Sequence, residues 1–400
     1  MTTQALQTTL ATARYAAARP STIRSVNEQL LLGHIRRYGP CSRAELAAAS
    51  GLSKVTVSVA LDNVERAGLV RIAGQRTGAP GRPPQLYELR PDAGLVLGVS
   101  VDQEYVRGAL AGLSGEIRAR SSVRARAGDI EGRAADLVRL ADVLCSEGGV
   151  SRAAITQTVI SGSCADGAHR DSTLPDWDWS PVLTRLRDEF GPSLALQRDL
   201  DARALAERAL GHGQDTESFA FVHFGIVIRM ALVIGGHVVP GAHGAAGEIA
   251  VLPVSGGTSA GRHAGPGAGT LQGAACEASM VGAARRAGLD GALTARRVFD
   301  AAAAGNQRAA ALVAKEARLA AEAICAVVTV VDPELIVLDG SIGRAPGFAR
   351  LVGAELRLLT PVRPDIKVST LDVNAVVDGC LAVGAELAWT RVMDSLHPPR

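Results

Sequence analysis

The residues best suited to chemistry near the start of the chain surround a short helix that opens at Ser53. Ser53 is spaced to cap a helix over residues 54–67, which Gly68 closes. A helix N-terminus offers unpaired backbone N–H groups and the positive end of the helix dipole, a ready seat for a phosphate. Lys54 and Thr56 add a charge and a hydroxyl there. At helical spacing Val57, Ala60, Leu61, Val64 and Ala67 share one face and must pack inward, leaving Lys54, Val55, Ser58, Val59 and Asp62 outward. Two outward valines are either incidental surface or contacts for thymine methyl groups in a DNA major groove.

Such a helix needs a frame, and the flanking sequence supplies one. Residues 25–38 read as a helix that stops at Gly39-Pro40. Ser42 and Glu45 have the spacing of a capping box for a helix over 43–50, and Gly51 suits the left-handed residue that ends it. Two short helices across a tight glycine turn make a helix-turn-helix. Arg43, at the start of the first, joins the candidate DNA contacts. Strand 69–73, the loop 74–84 with Arg76 and Arg82, and strand 85–89 then form a wing. Its arginines are expected on the DNA backbone or in the adjacent minor groove, the plainer reading being a solvated basic hairpin.

Charge partitions the same way. Residues 1–90 carry 12 Lys and Arg against 5 Asp and Glu, a net of +7, so the formal +2 of the whole chain leaves −5 for the rest. A basic module on an acidic body fits a nucleic-acid reader joined to a part that does not touch DNA. The 400 residues allow two or three domains, and 47% hydrophobic with 20% charged residues is a globular composition. No apolar run is long enough to span a bilayer, and residues 1–20, with no secretory pattern, read as a flexible tail. Six scattered cysteines without a C-x-x-C pair suggest reduced thiols, hence a cytoplasmic protein.

The stretch 41–102, strongest over 42–68 and at Gly81-Arg82-Pro83-Pro84, resembles the entry segment of ROK-family transcriptional regulators. These regulators of sugar metabolism join a winged helix-turn-helix to a domain similar to ROK sugar kinases. Where the family often carries an arginine after the Thr-x-Ser of the recognition helix, this chain has Val59. The resemblance implies an α/β chain with a winged helix-turn-helix at 21–90 and an actin-like, ribonuclease-H-like ROK domain at 91–400, its lobes near 91–200 and 201–400. Beyond residue 92 strands are expected at 95–101, 107–110, 117–123, 153–159, 219–224, 229–234 and 335–338. Helices are expected at 130–145, 348–359 and 375–389, with a long Ala-rich helical region over 275–331.

Set against a ROK kinase, the phosphate parts are eroded. The D-x-G-x-T turn reads Ser100-Val101-Asp102-Gln103-Glu104, without the glycine and threonine. The G-T-G-I-G turn reads Gly225-Ile226-Val227-Ile228-Arg229, and a G-G turn survives by half in Asp339-Gly340. The zinc motif is missing: the Gly-rich loop 254–273 holds His263, and no cysteine follows until Cys276. No cofactor or metal is therefore expected.

The sugar side is better kept. The resemblance puts Arg198-Asp199 where kinases carry Asn-Asp, Glu248 on the family glutamate with Val251 in place of its histidine, and Glu277 on a further family glutamate. These four form the candidate ligand site. The plainer reading makes them relics in local ion pairs such as Arg198–Asp199. Trp177 or Trp179 would wall a sugar or pack in the core.

The expectation is a sequence-specific repressor without kinase activity, on an inverted-repeat operator in double-stranded DNA. It would be a homodimer or homotetramer, with a sugar or sugar derivative as effector and no membrane partner. Two rivals stay open: a ligand-independent dimeric regulator, and an active kinase carrying a DNA-binding domain.

Overall fold

In a computed structural model, residues 20–76, 83–102, 104–126, 130–162, 179–254, 269–289, 291 and 294–396 are described, without side chains at 20–23, 130–131 and 179–183. Helices α1 (Pro20–Tyr38), α2 (Arg43–Ser50) and α3 (Lys54–Arg66) pack above a small antiparallel sheet of order β1-β3-β2. Its strands are β1 (Cys41–Ser42), β2 (Val70–Gln75) and β3 (Gln85–Leu89). The capping box forms: Ser42 donates its amide to Glu45 Oε2 at 2.9 Å, and the Ser42 hydroxyl accepts from the Glu45 amide at 3.3 Å. Gly51 takes the left-handed conformation that ends α2. The Arg76 amide bonds to the Pro84 carbonyl at 3.1 Å, closing the base of the wing.

Two five-stranded sheets follow, and they share one topology. The first has the order β6-β5-β4-β7-β8, from β4 (Leu95–Val101), β5 (Tyr105–Gly112), β6 (Ile117–Arg124), β7 (Ile155–Gly162) and β8 (Leu194–Arg198). The second has the order β11-β10-β9-β12-β13, from β9 (Phe219–His223), β10 (Arg229–Ile234), β11 (His237–Val238), β12 (Leu335–Asp339) and β13 (Asp365–Val368). In both, a central strand pairs antiparallel with its hairpin partner and parallel with the strand that follows a helical crossover. β4, β9 and β12 carry near-continuous apolar runs, as strands covered on both faces must. This repeated unit is the two-lobed arrangement that the family resemblance implies.

The helices covering these sheets are α4 (Ile130–Gly148), α5 (Trp179–Phe190), α6 (Asp199–Leu210), α7 (Leu271–Ala275), α8 (Glu277–Arg286), α9 (Ala295–Ala303), α10 (Gln307–Val331), α11 (Gly340–Gly343), α12 (Phe348–Leu359) and α13 (Ala375–Leu396). The single Ala-rich region expected over 275–331 is thus broken into three helices. Gly288 and Gly305, both at positive φ, sit at the two breaks, where alanine content does not register a chain reversal. β8, β11, β13 and α6 were absent from the sequence reading.

Helix α13 ties the molecule together. Gly379 packs so tightly against α6 that a Cβ there would meet the Ala202 carbonyl oxygen at 1.8 Å. Farther along, Leu381, Ala385, Ala388, Val392 and Met393 share one buried apolar cluster with Leu31, Leu32 and Ile35 of α1. Arg36 of α1 reaches Glu386 at 2.8 Å and the Leu113 carbonyl at 3.1 Å, and lies 5.0 Å from the centre of the Trp389 ring. One helix therefore touches both the winged unit and the helix that opens the inter-lobe cleft. No single helix among the described residues is long and apolar enough to cross a membrane.

Candidate nucleic-acid interface and inter-lobe cleft

Helix α3 is set by its buried face: Val57, Leu61 and Val64 are fully buried and Ala60 nearly so. Ser53 caps it, accepting the Thr56 amide at 3.1 Å and lying 2.9 Å from the Thr56 hydroxyl. Lys54 is exposed, Val55 and Val59 are 74% and 52% exposed, and Ser58 is half-buried. None of these four side chains makes a hydrogen bond or ion pair with any other described residue.

The other candidates differ. Arg43 donates to Asp62 at 2.8 Å and to the Tyr87 hydroxyl at 3.0 Å, with its guanidinium 5.3 Å from the Tyr87 ring centre, so it bolts α2 to α3 and β3. Arg76 pairs with Glu45. The Ser42 amide and hydroxyl, and then Arg76, hold the Glu45 carboxyl below its usual range, against a partial desolvation that would raise it. Arg82 lies outside the described residues, as do Trp177 and most of the loop 254–273, and the Trp179 side chain is likewise not described.

At the cleft, the Arg198–Asp199 ion pair of the plainer reading does not form. Arg198 is forked onto Asp201 instead, at 2.8 and 3.0 Å, and donates to the Gly244 carbonyl at 2.8 Å, with Glu248 at 3.9 Å. Position 201 lies in the first turn of α6, where a three-residue step suits a side chain projecting from the preceding strand. The guanidinium thus lies near Glu248, one of the carboxylates that a sugar hydroxyl would need. Glu277 stands apart from this group: it accepts from the Ser341 hydroxyl at 2.8 Å and the Ala295 amide at 3.2 Å.

Asp199 and Glu277 instead line a separate cavity of about 310 Å³, together with Arg203, His223, Gly225, Ile226, Arg229 and Ser341. Arg203, His223, Arg229 and Ser341 were not among the sequence candidates. Behind the cavity, Asp339 is buried at the end of β12. Its carboxylate faces His223 Nδ1 at 3.3 Å and Arg203 at 3.6 Å, and accepts from Arg344. Burial alone would raise its pKa. The His223 hydrogen bond and the Arg203 and Arg344 guanidiniums outweigh that and hold it well below the carboxylate range. Gly340, at φ +89°, follows it because a Cβ there would meet the Phe224 carbonyl oxygen at 2.2 Å.

The kinase turns are reshaped as well. Asp102 accepts the amides of Glu104 and Tyr105 at 2.8 and 2.7 Å and pairs with Arg107, so its carboxylate serves the β4–β5 turn.

With this geometry, the sequence pattern of the ROK family matches residues 96–386 and that of the MarR family matches residues 25–82. The chain belongs to the ROK family. A xylose repressor of Bacillus subtilis is 24% identical over 245 residues, a match covering 58% of this chain and 61% of that protein. A xylose repressor of Caldicellulosiruptor bescii is 22% identical over 393 residues, covering 90% of this chain and 96% of that one. In structure, a ROK-family transcriptional regulator, a homologue of the E. coli Mlc protein, superposes with a TM-score of 0.75 at 20% identity, covering 94% of this chain and 98% of the other. The chain thus carries a ROK fold behind a winged helix. Its matches to the B. subtilis repressor and to a putative xylose repressor of a Caldicellulosiruptor species span about 60% of those proteins' length.

Proposed function

We propose that this ROK protein is a sequence-specific DNA-binding repressor, responsive to a sugar-type effector and without phosphoryl-transfer activity. The observation that carries the reading is the outer face of α3, where Lys54, Val55, Ser58 and Val59 have no partner within the described chain. With Ser53 and Thr56 at its N-terminus, this helix enters the major groove. Arg76 and Arg82 follow the phosphates or the minor groove, and Arg43 holds the two helices at their angle. Two such units on a homodimer read an inverted repeat in the cytoplasm. Of the four candidate ligand residues, Asp199 and Glu277 line the effector cavity, while Arg198 is held by Asp201 beside Glu248.

The coupling runs through packed helices. A ligand that prefers one closure of the lobes shifts α6, and α13 carries the shift to α1 and the winged unit. The loss of kinase chemistry rests on Asp102, committed to its own turn, and on the branched side chains after Gly225. A coupled assay with ATP and a panel of hexoses should give no turnover; steady turnover would revive the kinase.

A second reading, a regulator that needs no ligand, is favoured by Arg198, which fills the space beside Glu248. Selection of genomic fragments by the purified protein at physiological salt tests the DNA reading. Recovery of one inverted-repeat motif is expected, and uniform salt-labile binding would overturn it.

A further inference from the structure

The cavity beside Asp199 has a charge pattern that a neutral sugar does not match. Arg229 stands in the last position of the Gly225 turn, where the kinase pattern has glycine. It lines the cavity, its Nε is buried, and that nitrogen has no partner. The Arg203 guanidinium makes no hydrogen bond with any described residue, and its one ion pair is with Asp339 at 3.6 Å, beyond hydrogen-bonding distance. His223 donates toward that same carboxylate through one ring nitrogen, and its other nitrogen lies by Gly225 at the cavity wall. Asp339, the only buried counter-charge to Arg203 among the described residues, is shared with Arg344 and His223. Guanidinium donors are thus left over on this wall. Asp199 and Glu277 border the same space and can accept from hydroxyls.

We propose that this cavity binds a polyhydroxyl ligand bearing one anionic group, with the anion on Arg203 and Arg229 and the hydroxyls on Asp199 and Glu277. The assignment rests on the effector-responsive reading above and names the chemical class of the effector. A neutral sugar would satisfy the carboxylates but leave the buried Arg229 nitrogen and the Arg203 donors without an acceptor, and an unmatched buried donor is costly. Inorganic phosphate would satisfy the guanidiniums but bring its charge against two carboxylates. A ligand with both features answers each wall. At about 310 Å³ the space is at the small end of ligand pockets, suited to one sugar ring with one charged group rather than a nucleotide. The anion is a phosphate ester or a carboxylate, chemistries the guanidinium fork accepts equally.

The test is thermal melting of the full chain with glucose, xylose, glucose 6-phosphate, gluconate, glucuronate and inorganic phosphate, each at equal concentration and ionic strength. A ligand that binds only the native state raises the midpoint. The expected result is a rise with a phosphorylated or carboxylated sugar, the two arms separating phosphate from carboxylate, and none with the neutral sugars or phosphate alone. Calorimetric titration of Arg229→Met with the active ligand should show affinity reduced roughly ten- to hundredfold, the loss of one charge-assisted contact. Should that variant melt early without ligand, Arg203→Gln gives the same reading from the other guanidinium. Equal stabilisation by neutral sugars, no rise with any compound, or wild-type affinity in both variants overturns the assignment. DNA selection is scored separately. A recovered motif with a neutral-sugar response removes this inference and keeps the regulator, whereas an acidic-sugar response without a motif removes the regulator and keeps the site.

Discussion

The outer face of α3 and the guanidinium of Arg198 both present polar groups at the start of a helix, yet one is uncommitted and the other saturated. Lys54 faces solvent without a partner, while Arg198 satisfies a carboxylate, a carbonyl and the edge of a second carboxylate. An unpaired lysine beside an exposed valine contributes nothing to the chain's own stability, so its use lies in what it meets outside. A forked arginine on a carboxylate that is only 6% exposed contributes to folding, and a ligand must displace it to use that space. The same vocabulary of residues therefore serves recognition in one region and structure in the other. Partner count, more than residue type, separates the two.

The largest effect expected from breaking this contrast is at Arg198. Arg198→Ala strips the nearly buried Asp201 carboxylate of its guanidinium, and should lower unfolding free energy by about 3 kcal/mol in urea titration. An unchanged free energy accompanied by newly gained sugar binding would make Arg198 a displaceable plug instead of a strut. Next comes Val55→Glu, which sets a carboxylate toward phosphates. Operator affinity should fall on the order of 100-fold by fluorescence anisotropy. Melting should stay within about 0.5 kcal/mol, as for a surface exchange. A collapse in stability would show that the exposed valine packs against something after all. Lys54→Ala is gentler. It removes one phosphate contact, so the slope of log affinity against log salt should flatten by about 0.9. An unaltered slope would take Lys54 off the DNA.

How much of this was legible depended on distance along the chain. The capping box at Ser42 and Glu45, the Gly51 stop, the Ser53 cap and the inward Val57, Ala60, Leu61 and Val64 of α3 are all set by neighbours within a few residues, and each forms as expected; Ala67, expected on the same face, is exposed because the helix ends at Arg66 and Ala67 caps it. The central strands of both lobes were visible as apolar runs. The cavity was not. His223 and Asp339 meet only because β9 and β12 pair in parallel across more than a hundred intervening residues, and no local pattern encodes that pairing. One signal was available: His223 and Asp339 each end an apolar run, and α/β sheets gather their sites at the carboxyl ends of strands. The Arg198–Asp201 pair escaped because the start of α6 was not assigned, and without it Asp199 looked the nearer partner.

The smallest expected effect addresses the joint between the two regions. Arg36 is 18% exposed and Glu386 is 73% exposed, so their ion pair is screened and worth about 0.5 kcal/mol. The Trp389 ring and the Leu113 carbonyl add contacts of similar weight. Arg36→Ala should therefore cost about 1 kcal/mol in urea titration, and a cycle with Glu386→Ala should show a coupling below about 1 kcal/mol. A joint this soft does not hold the winged unit by charge; the apolar α1–α13 cluster does that. Under that division, Arg36→Ala keeps most of the effect of ligand on operator affinity, while Leu32→Ala, a core truncation of about 2–5 kcal/mol, uncouples the two. If removing the ion pair alone abolishes the ligand effect, the shift passes through Arg36 and Glu386 instead of through the packed face of α13.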